Sequence, residues 1–194
     1  MREQTAAAIL DAAEELFAEQ GLANAHMNDI AARAGVAVGT LYNHFKDRDA
    51  LLAELLEARR SGLLAVMDEF LDQPSSGDFR TDLMELVARM GGYFEAHRRF
   101  HIILHQLEYG ANLGNYPTTA ASSPKLKREM YLRLDKLIKR GLKMKALRPA
   151  LAEYYPGLLM GILRSMRVHM AETGTDEHMP LDEVVRFFME GAKA

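Results

Sequence analysis

Apolar side chains recur at steps of three and four residues along almost the whole of this chain, and no run of alternating β-branched residues interrupts them. That is the pattern of helices with one buried face, and it leaves no natural place for a sheet. Proline and glycine fall at the ends of the periodic segments more than inside them. The expectation is an all-α fold of about nine helices. The first covers residues 2–20, with Ile9, Ala13, Leu16 and Phe17 on one face and Gly21 as its stop. Two short helices, 28–34 and 38–45, flank a tight turn at Gly35-Val36, and Asp47 is placed to cap a long helix reaching Phe70. Residues 72–78 read as loop, 79–96 and 100–109 as helices, and 110–123 as irregular. Ser123-Pro124 is a start signal for a helix to Leu147, followed by helices at 150–171 and 181–191 with a polar loop at 172–180.

Composition narrows the function classes. With no cysteine in 194 residues, disulfides, thiolate metal sites and a cysteine nucleophile are ruled out. The start of the chain lacks a signal-peptide layout, and the longest apolar run, 158–163, is far too short to span a bilayer, so a cytoplasmic protein is expected. No nucleophile elbow, phosphate-binding glycine loop or paired-histidine zinc motif occurs, so the chain reads as no enzyme and as needing no cofactor or metal.

The stretch from Asn28 to Lys46 is the most informative. Two short helices joined at Gly35 match a helix-turn-helix, in which the second helix lies in the major groove of DNA. Ile30, Ala34, Val36, Leu41 and Phe45 face Leu16 and Phe17 in this layout, which leaves Thr40, Tyr42, Asn43 and His44 on the free side to meet base edges and phosphates. The ensemble formed by Ile9 to Phe17, Gly21, Asp29-Ile-Ala31, Ala34-Gly-Val36, Gly39-Thr-Leu-Tyr42, Phe45-Lys46 and Leu51-Leu52 resembles the tetracycline-repressor (TetR) family of bacterial regulators over roughly the first 55 residues.

That resemblance implies an N-terminal three-helix DNA-binding domain over 1–46 and a larger helical ligand-binding and dimerisation domain over 47–194. It implies that Thr40, Tyr42 and His44 contact the operator and that Lys46 holds a phosphate; Asn28, Val38, Gly39 and Asn43 complete the expected DNA-facing set. Several positions depart from the family's habit: Ala37 stands where serine is common, Val38 where a polar residue is, His26 where threonine is, and Asn28 where arginine is. Both short helices thereby lose their usual side-chain cap. Residues 1–48 also hold four Lys/Arg against seven Asp/Glu, a poor electrostatic footprint for a nucleic-acid binder.

In the C-terminal part, Met90, Tyr93, Phe94, Phe100, Leu104, Tyr109 and Tyr131 are candidates to line an apolar cavity, with His101, His105, Glu108 and Asn112 as polar groups to orient a ligand. Ordinary core packing is the competing reading for each of the large side chains. His97, His101 and His105 follow at four-residue steps, and a shared metal, a helix end, a pocket and a plain surface all remain open for them. The helix from Lys125 to Arg148 is rich in lysine and arginine, which suits a solvated face, a membrane-binding one or a nucleic-acid-binding one. Tyr155, Leu158, Leu159, Ile162 and Met166, with Val184, Phe187 and Phe188 of the last helix, form apolar faces wide enough to serve a homodimer interface. The expected function is a ligand-responsive repressor that binds a pseudo-palindromic operator as a homodimer and is released by an apolar or amphipathic small molecule. The alternative is a DNA-binding adaptor or nucleoid-associated protein without ligand control.

Overall fold

The computed structural model describes residues 2–109, 124–173 and 180–192. Among these lie nine α-helices, in agreement with the all-α expectation: α1 (Arg2–Gln20), α2 (Met27–Arg33), α3 (Val38–His44), α4 (Arg48–Leu71), α5 (Phe79–Ala96), α6 (Arg98–Tyr109), α7 (Pro124–Lys143), α8 (Tyr155–Thr173) and α9 (Leu181–Ala192). The irregular segment expected at 110–123, the Ser123 cap and most of the 172–180 loop lie outside the described residues.

The helices group into two compact units. The first takes in Met1–Ser61 and His97–Ser123, the second Gly62–Ala96 and Pro124–Ala194. Of the described helices only α4 runs through both. Helix α6, which lies beyond the division after residue 46 that the resemblance implies, packs on α1 within the first unit. The reason lies in the apolar stripe of α6. Phe100, Ile103 and Leu104 are buried with Ile9, Leu16, Phe17, Leu41, Leu51 and Leu55.

Charged groups reinforce that core. Arg59 of α4 donates from Nε to Glu14 of α1 at 2.6 Å and from Nη2 to Asp11 at 2.7 Å. Glu14 is itself almost fully buried, so this pair supplies the counter-charge it requires. The turn between α2 and α3 is a Schellman cap. Gly35 sits at φ 68°, and the amides of Val36 and Gly35 donate back to the carbonyls of Ala31 and Ala32 at 3.0 and 3.2 Å. A β-carbon at this φ would be strained, which is why glycine stands at the turn.

In the second unit α7 packs on α8 and α5 on α9 around Met67, Leu83, Leu86, Met90, Leu134, Leu137, Tyr155 and Leu159. Two helix boundaries differ from expectation. The helix starting at Pro124 stops at Lys143 rather than Leu147, because Lys145 takes φ 59° in a second Schellman cap, with the Ala146 amide bonded to the Gly141 carbonyl at 2.9 Å. The reversal turns Leu147 into the core against Gly141, whose lack of a side chain also admits Phe79. The helix expected at 150–171 is interrupted after a short 3-10 turn, Pro149–Leu151, and α8 begins only at Tyr155. Pro156 explains the break: it has no N–H to give an earlier helical turn, and it fits the first turn of a new helix.

Candidate nucleic-acid interface

The first unit positions α3 by burying one side of it. Leu41 is fully buried, Phe45 nearly so, and Ile30 of α2 closes the same core from the other side of the turn. The opposite side of α3 stays in solvent. Tyr42 is 50% exposed and Val38 39%, Gly39 and Asn43 are exposed, and Thr40 and His44 are half-buried. Lys46 is exposed just beyond the helix, and Asn28 is exposed on the first turn of α2. Asn28 and Tyr42 meet across a shallow hollow of about 380 Å³, which is also lined by Ala25, His26, Met27 and Arg48. His26 and Arg48 were not among the sequence candidates. Arg48 reaches the hollow because its side chain returns to donate to the Ala23 carbonyl at 3.0 Å, a contact across 25 residues that no local pattern signals.

The caps expected to be weak are weak. Neither His26 before α2 nor Ala37 before α3 makes a side-chain capping bond, although both have the extended backbone of an N-cap. The cation shortage is sharper in three dimensions than in sequence. Arg33 is held by Glu15 at 3.0 Å and Glu19 at 3.2 Å, and Arg99 of α6 also donates to Glu15, at 2.7 Å. The hydrogen bonds that the Arg33 guanidinium donates to Glu19 and Glu15 hold it further into its charged range, so its charge is committed to α1.

A pair of short helices on a Schellman turn, with a buried inner side and a polar, aromatic outer side on the second helix, defines a helix-turn-helix DNA-binding protein. Residues 9–55 match the family model described as bacterial regulatory proteins, tetR family. The HTH-type transcriptional regulator AcrR of Shigella flexneri is 30% identical over 149 residues, 75% of this chain and 67% of AcrR. The chain belongs to the TetR family of transcriptional regulators. The same fold recurs in the Bacillus subtilis regulator FadR in complex with stearoyl-CoA, with a TM-score of 0.73 at 17% identity over 94% of this chain and 95% of that one. It recurs again in the SmeT–triclosan complex, with a TM-score of 0.75 at 22% identity over 98% and 92% of the two chains.

The residues proposed from sequence to hold a ligand are divided between the two units. Met90 is fully buried in the second core, with Tyr93 and Phe94 packed against it. Tyr131 is half-buried and donates to the Glu153 carbonyl at 2.9 Å. Phe100 and Leu104 belong instead to the core of the first unit, and His101 is buried beside Phe100. The side chains of His105, Glu108 and Tyr109, and all of Asn112, lie outside the described part. Among the described residues no three metal-ligating side chains converge. His97 sits at the break between α5 and α6, half-buried, so the three histidines do not share one unbroken helix.

The residues proposed for a dimer interface also separate. Tyr155, Leu159 and Phe188 are interior to the second unit: the Tyr155 hydroxyl donates to the Arg148 carbonyl at 3.0 Å and its ring meets Phe188 edge-on at 5.8 Å. These three are therefore committed to the unit's own core rather than to its surface. Leu158 at 53% and Phe187 at 72% exposure are outward, and with Ile162, Val184, Gly157, Gly161, Ser165 and Glu183 they line an open groove of about 690 Å³. The side chain of Met166 lies outside the described part. No helix among the described residues is long and apolar enough to cross a membrane.

Proposed function

We propose that this chain is a ligand-released repressor that reads an inverted-repeat operator as a homodimer, using α3 of each subunit. The observation that carries the reading is the two-sidedness of α3, with Leu41 sealed in the core and Tyr42 and Asn43 turned outward on a helix of the right kind for the major groove. Tyr42 and Thr40 meet bases and phosphates, Lys46 and Asn28 hold the backbone, and Val38 and Gly39 let the start of the helix approach closely. Dimerisation through α8 and α9 pairs two α3 helices for an operator whose half-sites lie about one helical turn apart. The groove bearing Leu158 and Phe187 supports this, since large apolar side chains exposed side by side on two helices are the mark of a surface that is covered in use.

The effector in this proposal is an apolar or amphipathic small molecule taken up by the second unit, the class to which the stearoyl-CoA and triclosan held by two proteins of the same fold belong. Its binding shifts α4, and a coupling of about 1–3 kcal/mol is enough to weaken operator binding about 5- to 150-fold. Selection of genomic fragments with the purified protein, followed by titration of the recovered fragment complex with a long-chain acyl-CoA and with triclosan, tests it. Recovery of an inverted repeat that either compound releases supports the proposal. Recovery of a repeat that no such compound releases leaves an adaptor rather than a regulated repressor, and recovery of nothing specific overturns operator reading altogether.

A further inference from the structure

Helix α7, in the second unit, carries a strong charge asymmetry. It holds eight Lys/Arg against two Asp/Glu in a chain whose net charge is −3. Some of these cations serve the fold. Arg133 forms a two-pronged pair with Asp68 of α4 at 2.9 and 2.5 Å, and Arg140 donates to the carbonyls of Leu71 and Gln73. Others are arranged differently. At about 100° per residue, Arg128, Leu132, Lys136, Lys139 and Lys143 fall within an arc of about 80°, opposite the side that buries Leu134, Leu137 and Ile138. All five are exposed. Four cations thus form one outward stripe about 22 Å long. Two carboxylates flank it, Glu129 beyond Lys136 and Asp135 beyond Arg128; Asp135 is paired with Lys139 at 2.7 Å, and that lysine remains 71% exposed.

We propose that this stripe is a second, sequence-independent contact surface for the phosphate backbone of duplex DNA. DNA-binding proteins draw their non-specific affinity from cations that neutralise phosphates. The first unit is poorly supplied, since Arg33, Arg59 and Arg99 are all engaged by carboxylates of α1. The stripe supplies what that unit lacks. Its length spans about six base-pair rises of 3.4 Å along the duplex axis, enough for its cations to meet several backbone phosphates. A lipid surface fits less well, because the face offers a single apolar side chain, Leu132, where a membrane-lying helix needs a full apolar side.

The test uses the full chain carrying Tyr42→Ala, so that operator reading plays no part, and a labelled duplex of random sequence followed by fluorescence anisotropy over a salt series. Adding Lys136→Gln, Lys139→Gln and Lys143→Gln is expected to weaken binding about tenfold at low salt and to flatten the dependence of log affinity on log salt by about 2–3. The corresponding triple Lys→Arg variant, which keeps the charge, is expected to bind like its parent. Equal affinity and slope for the Gln variant, or a loss that the Arg variant shares, overturns the proposal. So does a stripe-dependent binding to phosphatidylglycerol vesicles with no effect on duplex binding. Because the duplex is random, failure here leaves the operator proposal standing, and the reverse also holds.

Discussion

At the scale of single residues, the DNA-facing unit is built with less local support than its shape suggests. Ala37 has the extended backbone of an N-cap, φ −64° and ψ 144°, but no side chain to receive an orphan N–H of α3. Ala37→Ser is expected to stabilise the protein by about 1 kcal/mol, read as a rise in the midpoint of chemical unfolding. This weakness was visible in the sequence, as was the inward set Ile9, Ala13, Leu16, Phe17, Ile30 and Leu41, all of them buried. The place of Arg48 at the hollow was not visible, because it depends on a contact with the chain 25 residues earlier. Nor was the commitment of Tyr155, Leu159 and Phe188 to the interior. A helix that is apolar on more than one side does not say which side its own unit will claim.

At the scale of elements, α1 is tied to α4 and α6 by apolar contacts and by a buried charge. Arg59→Ala leaves Glu14 without its partner in the interior and is expected to cost about 2–4 kcal/mol, measurable by denaturant unfolding. Acid should loosen the molecule in two stages. His97 is held below its ordinary value of 6.5 by burial and by the nearby Arg59, so the folded state binds its proton less readily than the unfolded chain does. Its contribution is complete above pH 6.5 and is lost as the pH falls through the folded value. Asp82, at the start of α5, is pushed up by burial, but hydrogen bonds from the Ser75 hydroxyl and from Ser76, with help from Arg140, bring it below its ordinary 3.8. Its contribution is present above that value and fades at still lower pH. Melting temperature followed from neutral pH downward should fall in both windows; His97→Gln should flatten the first and Asp82→Asn the second. Helix positions were legible from periodicity, and α1 and α5 begin and end where the pattern predicts. The end of α7 was not legible, because a lysine rather than a glycine occupies its left-handed cap, and α8 starts later than periodicity suggests because Pro156 begins a new helix.

At the scale of the whole molecule, the all-helical architecture followed directly from the sequence, whereas the assignment of α6 did not. Its amphipathic stripe said that it packs, without saying on what. The exposed groove on α8 and α9 gives the dimer proposal a direct test. Phe187→Glu places a charge at the most exposed apolar side chain of that groove and is expected to give monomers at micromolar concentration in sedimentation, with the helical signal retained. A variant that still sediments as the wild type does would move the interface elsewhere. The central claim, that α3 reads DNA sequence, is tested most directly by Tyr42→Ala on the selected operator and on a random duplex side by side. Operator affinity is expected to fall by at least about tenfold, the cost of losing one good base or backbone contact, while random-duplex affinity is little changed and the fold is intact. Equal operator affinity in the wild type and in Tyr42→Ala would contradict the claim.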